Sequence, residues 1–388
     1  MALPLIYNVR NLAARRAGTA MTAIGIGLVI FVFIWFLALA NGFQKTLVST
    51  GRADNLIVLR KGATSEVESH LTRDWVAILK AHPDVATGEG ERPLASADLV
   101  VIANLPRKDG VAANVSIRGV SPDAFALRPY VKVTEGRLPQ PGLSEVVVGR
   151  AIARRFGNLT VGSNVTIDET EWSIVGIFDS GGSAFESEIW GDAEVLLPAF
   201  DRDGFVSVTF RLRDPSRANA VIEELGKEAR MQVQVSTERD YYNAQSGMLG
   251  AALSTLGTFV AVIMAVGAVF GALNTMYAAV DQRTREIATL LAIGFSPSSI
   301  YVSFVLESVL IGLIGGVIGV LLALPFNGVS TGTTNWTSFS EVAFNFRISP
   351  EIVVTGLVFA TLLGVVGGLL PARRAARKTI ATALRAAG

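Results

Sequence analysis

Four long stretches of this chain contain no charged residue: residues 17–44, 241–280, 308–340 and 352–372. A bilayer hydrocarbon core takes roughly 20 apolar residues per helix, so each stretch is long enough to cross a membrane once. Their spacing is uneven, with one stretch, then a polar block over residues 43–245, then three more. Such an order puts the whole polar block on one side of the membrane and brings the two chain ends to the other.

Composition fits a membrane protein with a sizeable aqueous part. Charged residues make up 17% of the chain, below the roughly 25% of soluble domains. The polar block is long enough to bury a core of its own. A net charge of +1 gives no global attraction to nucleic acid, and no such partner is expected. There is no cysteine, which fits a bacterial-type envelope better than a disulfide-stapled secreted domain.

Basic residues flanking the spans set the orientation, because Lys and Arg near span ends stay in the cytosol. Arg10, Arg15 and Arg16 precede the first span, and Arg373, Arg374, Arg377, Lys378 and Arg385 follow the last, with no acid among either set. The link between spans two and three carries Arg283 and Arg285, whereas the link between three and four sets Arg347 against Glu341. Both termini are therefore expected in the cytoplasm. Ala38-Leu39-Ala40 also fits a signal-peptide cleavage pattern, but the apolar stretch ahead of it exceeds the roughly 7–15 residues of a signal peptide. A retained first span is expected.

The polar block reads as mixed α and β in several short units. Runs rich in β-branched residues at 55–60, 114–120, 145–148, 172–178 and 206–213 are bounded by turn formers and predict strands. Helical spacing occupies 72–81, 150–156 and 216–230, the last with Val221, Ile222 and Leu225 on one face. Joints at Gly136 and Gly181-Gly182 suggest a subdomain of about residues 135–205 inserted into another.

Catalytic chemistry finds little support. With His70 and His82 the only histidines and no cysteine, a Cys nucleophile and a structural zinc centre are both excluded, and both histidines are expected on a solvated face. No phosphate-cradling loop is present; Leu225-Gly-Lys-Glu228 lacks the earlier glycine and the hydroxyl. The acid pairs Glu66/Glu68 and Glu186/Glu188 read as solvated loop charges. No catalytic residue, metal site or bound cofactor is expected.

The membrane segments say more. Glu307 falls about two turns into the third span, where an ionisable group is costly and defaults to a functional hypothesis. Two readings stand: a carboxylate near the cytoplasmic interface paired with a base of the adjoining loop, or a proton-coupling group. Small residues four apart let helix backbones approach closely, as in Gly267 with Gly271, Gly312 with Gly316, Gly315 with Gly319 and Gly364 with Gly368. Packing within the chain and packing between two copies both account for them.

Between spans two and three, Met276 opens a helix that leaves the membrane, Gly294 stops it, and Ser296-Pro297 starts another. Arg283, Arg285 and Glu286 stand beside the apolar Ile287, Leu290, Leu291 and Ile293. This is an amphipathic elbow that a partner can grip, or a surface turn held by its own charges.

The run Arg283-Thr-Arg-Glu-Ile-Ala-Thr-Leu-Leu-Ala-Ile-Gly294, the third span with Glu307 and Gly315-Gly316, Pro371-Ala-Arg-Arg-Ala-Ala-Arg377 and Arg10-Asn-Leu12 resemble the MacB/FtsX-type (type VII) ABC transporter permeases. So do Thr134-Glu-Gly-Arg-Leu138, Val146-Val-Val-Gly-Arg-Ala-Ile-Ala153 and Trp172-Ser-Ile-Val-Gly-Ile177, which are similar to the family's periplasmic domain. The resemblance implies an α+β membrane protein of the bacterial inner membrane, with one plus three transmembrane helices. Its parts would be a cytoplasmic segment (1–16), span one (17–42), a MacB-like periplasmic domain (43–245) and span two (246–280). A coupling elbow (281–299), span three (300–326), an external loop (327–350), span four (351–372) and a cytoplasmic tail (373–388) would follow.

The resemblance further implies a non-catalytic permease dimer, homo- or heteromeric, driven by two ABC ATPase subunits that carry ATP and Mg and dock on Arg283, Arg285, Glu286, Ile287, Leu290, Gly294 and Pro297. The sequence shows no ATPase domain, so that subunit is expected from another polypeptide. The expected function is mechanotransmission of ATPase closure to the periplasmic domain for export, with a periplasmic adaptor, an outer-membrane channel and membrane lipids as further partners. Lipoprotein or lipid release, and a signalling permease that activates an envelope enzyme, are the alternatives.

Overall fold

The computed structural model describes residues 5–378, so Arg385 and the end of the expected tail lie outside the described residues. Two helices come first, α1 (Leu5–Ala14) and α2 (Arg16–Val48). The polar block then runs β1 (Asn55–Arg60), α3 (Arg73–Lys80), β2 (Ala95–Pro106), β3 (Ala112–Val120), α4 (Ala124–Leu127), β4 (Lys132–Gly136) and β5 (Glu145–Gly149). It continues through α5 (Arg150–Arg155), β6 (Asn164–Ile167), β7 (Thr170–Asp179), β8 (Glu188–Asp192), α6 (Ala193–Ala199), β9 (Ser207–Arg211), α7 (Ala218–Lys227) and β10 (Val233–Thr237). The remainder is α8 (Glu238–Gln282), α9 (Thr284–Ile293), α10 (Pro297–Ala323), β11 (Ser330–Thr334), β12 (Glu341–Asn345) and α11 (Pro350–Ala376). Among the described residues four helices are long and apolar enough to cross a membrane: α2, α8, α10 with the short turn that ends at Phe326, and α11.

The chain divides into two compact units. One comprises Gly42–Gly250 and Ser330–Asn345, the other the apolar helices with their flanks. In the first unit, among the described residues, strands β1 to β10 make one ten-stranded sheet, ordered β10-β1-β9-β2-β3-β8-β5-β7-β4, with β6 beside β7. The splice is β8, which lies parallel to β3 from Ser116↔Glu188 to Val120↔Asp192 and antiparallel to β5. β8 reads Glu-Ile-Trp-Gly-Asp, and its two acids and glycine hide it from an apolar pattern. Thr72 caps α3 by accepting the Trp75 N–H, and Asp192 caps α6 by accepting that of Glu194, each satisfying a free donor of a first turn. α7 buries Val221 and Leu225. Trp190 is enclosed by Phe125, Phe178 and Phe185, ring centroids 5.0–5.5 Å away.

The segment expected as an external loop contains a hairpin that belongs to this same unit. β11 pairs with β12 antiparallel, from Ser330↔Asn345 to Thr334↔Glu341. The threonines of β11 suit an extended strand, and Glu341 is buried against Arg155 at 2.5 Å and Arg107 Nε at 2.8 Å. Gly332 leaves room for the Arg155–Glu341 pair: a Cβ there would lie 2.2 Å from Arg155 Nη1 and 2.7 Å from Glu341 Oε1, so the two side chains would have to shift.

Charge at the centre of the sheet unit overturns the reading of Glu66 and Glu188 as solvated. Arg118, 2% exposed, grips Glu66 with both terminal nitrogens at 2.8 and 2.9 Å and Glu188 through Nε at 2.7 Å. Asp98 bridges Arg118 at 3.3 Å to Arg128 at 3.2 Å, and Arg128 reaches Glu238 at 3.1 Å. Spare acceptor capacity is filled: Ser207 donates to Glu66, Trp190 Nε1 to Glu188, and Asn55 to Glu238. Burial works to raise the Glu66 carboxyl, yet Arg118 and Ser207 hold it below its ordinary value. The partners come from β2, β3, β8, α8 and the turn at Glu66–Glu68, so the cluster ties distant segments together. Glu68 and Glu186 are not fully buried.

His82 also departs from the solvated expectation. Its side chain is largely buried, with Nδ1 accepting the Asp84 N–H at 3.3 Å and Nε2 3.7 Å from Glu224, while His70 is half exposed.

Removing one partner of a buried pair leaves a charge without compensation, at a cost of about 3–5 kcal/mol. Arg118→Met should therefore lower the unfolding free energy by about that amount. Thermal melting of the detergent-solubilised chain would show it; a melting curve like the wild type's would mean that the cluster contributes nothing net.

Candidate functional site

Within the helical unit, the elbow is shaped by two local signals. Gly294 ends α9 at φ 104°, a left-handed conformation open to glycine, and its N–H turns back to the carbonyls of Leu290 and Leu291. Ser296 then caps α10 by accepting the Ser299 N–H, and Pro297 occupies its first turn.

Arg283, at the break between α8 and α9, faces inward. Its Nη1 donates to Glu307 at 2.9 Å, its Nε to Glu286 at 2.8 Å, and its Nη2 to the Tyr7 hydroxyl at 2.8 Å. Tyr7 in turn donates to Glu286. The guanidinium lies over the rings of Tyr7 and Phe304, 5.2 and 5.0 Å from their centroids, an arrangement that favours a cation. Glu307, 3% exposed, is thus paired with a base of the adjoining elbow. Burial works to lower the Arg283 pKa, but Glu286, Glu307 and Tyr7 outweigh it and the group stays charged.

Burial works likewise to raise the Glu286 carboxyl, and its bonds to Arg283 and Tyr7 bring it below its ordinary value. A depressed carboxylate stabilises the fold above the unfolded pKa and loses that contribution as pH falls through the folded value. Near neutral pH this contribution is constant.

The seven elbow residues do not act as one surface. Arg283 and Ile287 point into the unit, Glu286 and Leu290 are partly covered, and Arg285, Gly294 and Pro297 are exposed. Ile293, 69% exposed, is the apolar tip beside Gly294. Asp281 adds a tie to the end of α11 and beyond, 3.4 Å from Arg374 and 3.0 Å from Lys378, whose ammonium also donates to Thr284 at 2.8 Å. Tyr7 and Asp281 escaped the sequence reading because their partners, Arg283 with Glu286 and Arg374 with Lys378, lie far away in the chain.

Six of the eight flagged glycines meet neighbours within the chain. A Cβ on Gly312 would lie 2.6 Å from the Ala360 carbonyl oxygen, and one on Gly316 2.8 Å from Ala360 Cβ. On Gly315 and Gly319 it would come within 2.7 Å of the Ala23 and Gly27 carbonyls, and Gly364 and Gly368 close on Ser308. These glycines seat α10 against both α2 and α11. Gly267 and Gly271 have nothing within 4 Å, and α8 around them exposes Phe259, Ile263 and Phe270.

Residues 19–228 match the family model described as MacB-like periplasmic core domain, and residues 258–380 match FtsX-like permease C-terminal. The chain belongs to the MacB/FtsX-type permeases. The macrolide export ATP-binding/permease protein MacB of Bdellovibrio bacteriovorus is 26% identical, over 97% of this chain and 60% of that protein. Its counterpart in Brucella melitensis is 25% identical over 97% of this chain and 59% of that protein. The chain thus spans about 60% of the length of these relatives, and what it covers is a MacB/FtsX-type permease part. The crystal structure of the periplasmic region of MacB from Actinobacillus actinomycetemcomitans aligns with 49% of this chain and 91% of that one, at 12% identity and a TM-score of 0.38. The four apolar helices make this MacB/FtsX-type permease a multi-pass inner-membrane protein.

Glycine placement gives a test. A methyl group forced into a tight contact costs about 1–3 kcal/mol, so Gly312→Ala should lower thermal stability in detergent. Gly267→Ala meets open space and should be neutral or stabilising by up to about 1 kcal/mol through helix propensity. Equal effects from the two changes would refute the packing described here. Glu307→Ala, which strands Arg283 on one side, should cost about 3 kcal/mol, and less in an Arg283→Leu background.

Proposed function

We propose that this chain is the permease component of an ATP-driven export complex. A separate ABC ATPase dimer, carrying ATP and Mg, closes against the elbow on the cytoplasmic side. That movement reaches the periplasmic domain through the spans of two permease copies, which expel a periplasmic or outer-leaflet substrate. Both termini lie in the cytoplasm, and no step of the chemistry falls on this chain.

The elbow carries the reading: an exposed apolar tip, Ile293, braced from behind by Arg283 on Glu307. A flexible surface turn would not transmit force. Here the brace runs from α9 into α10, so a push on the tip loads a membrane-spanning helix rather than bending a loop. Export is the cargo role that the names of the relatives support, while macrolides as substrate remain a property of those proteins. A periplasmic adaptor and an outer-membrane channel complete the complex in this reading.

Ile293→Glu tests it, because the side chain is exposed and its replacement leaves Arg283 and Glu307 in place. The variant should lose at least about tenfold of the ABC ATPase that co-purifies with wild type from native membranes, roughly 1.4 kcal/mol of binding, with unchanged melting. Failure of the wild-type chain to retain any ATPase under mild detergent conditions would overturn the reading.

A further inference from the structure

A cavity of about 350 Å³ opens in the sheet unit between α5, the last turns of α2 and the hairpin. Its volume lies within the roughly 300–1,000 Å³ typical of small-molecule sites. Arg150, Arg154 and Arg155 line it together with Thr46, Ser330 and Asn345. One acid, Glu186, also faces it, but Oε1 of that carboxylate already accepts the N–H groups of Ser180 and Gly182 at 3.0 and 2.7 Å.

The three arginines are not equally engaged. Arg150 pairs with Asp179 and Arg155 with Glu341, both at 2.5 Å. The Arg154 guanidinium has no hydrogen-bond or ion-pair partner among the described residues. Arg150 and Arg154 stand four residues apart on one helix, where like charges repel at a cost of about 0.2–0.5 kcal/mol. One unengaged guanidinium, two more arginines held in place by carboxylates and several hydroxyls around one polar space form an arrangement that recognises tetrahedral oxyanions, since arginine meets phosphate with paired N–H bonds.

Chain position indicates where such an anion would come from. Thr46 follows the charge-free stretch that ends at Gln44 by two residues. Ser330 comes four residues after Phe326, the end of the third candidate span, and Asn345 five before Pro350, the start of the fourth. Three of the segments that line the cavity therefore lie within a few residues of a span end, which ties part of its lining to the membrane by short lengths of chain.

We propose that this cavity binds a phosphate monoanion or diester, and that its source is the headgroup of an anionic phospholipid, with Arg154 as the free cation that takes the charge. The site is independent of the elbow and of ATPase docking, so failure of one leaves the other standing.

The full-length chain in detergent would be titrated calorimetrically with dihexanoyl phosphatidylglycerol, dihexanoyl phosphatidylcholine and inorganic phosphate. Phosphatidylglycerol should bind at least about tenfold more tightly than phosphatidylcholine, a difference of roughly 1.4 kcal/mol. Arg154→Glu should abolish that preference and Arg154→Lys should keep most of it, with both variants melting as wild type does. Binding of inorganic phosphate as tight as that of phosphatidylglycerol, also lost in Arg154→Glu, would keep the oxyanion site but overturn the lipid as its source. Equal affinity for the two lipids with no response to phosphate, or a preference that survives Arg154→Glu, would overturn the site itself.

Discussion

An arginine taken out of water must recover, from the few groups around it, the solvation it has lost. Both units of this chain are organised around that demand. In the sheet unit Arg118 and Arg128 draw in four carboxylates, Glu66, Asp98, Glu188 and Glu238, from elements far apart in the chain. In the helical unit Arg283 does the same with Glu286, Glu307 and Tyr7. Apolar burial supplies the bulk driving force in each case, but it is tolerant of small shifts. A guanidinium held by two or three carboxylates tolerates few of them, and so fixes which strands are neighbours and how the elbow meets α10.

The two clusters were unequally legible. Glu307 stood out because a lone carboxylate in an apolar span has no inexpensive explanation. Glu66, Asp98 and Glu188 did not, because each lies in a block that also carries many solvated charges and resembles any surface acid until the fold brings Arg118 beside it. Strands with β-branched runs, such as Asn55–Arg60 and Thr170–Asp179, announced themselves. β2 opens Ala-Ser-Ala-Asp and β8 carries two acids, so their burial rests on partners that local pattern does not contain.

The elbow shows a further limit of linear reading. Its composition is amphipathic, but the helix is interrupted at Arg283, which leaves helical backbone between Gln282 and Thr284 (φ −101°, ψ 17°), and helical periodicity cannot be carried across it. Arg283 therefore turns inward where spacing grouped it with the exposed Arg285. The hairpin between the third and fourth spans follows the same logic: its glycine and threonines suggest a loop, whereas Glu341 and the two arginines that hold it make a strand pair.

The helix α8, with 45 residues in one uninterrupted run, is about 68 Å long at 1.5 Å per residue, against a hydrocarbon core of about 30 Å. The part of it inside the helical unit, residues 251–282, is by itself about 48 Å long. A span longer than the core it crosses is accommodated by tilting, so α8 has length to spare for a wide range of tilts without leaving either interface.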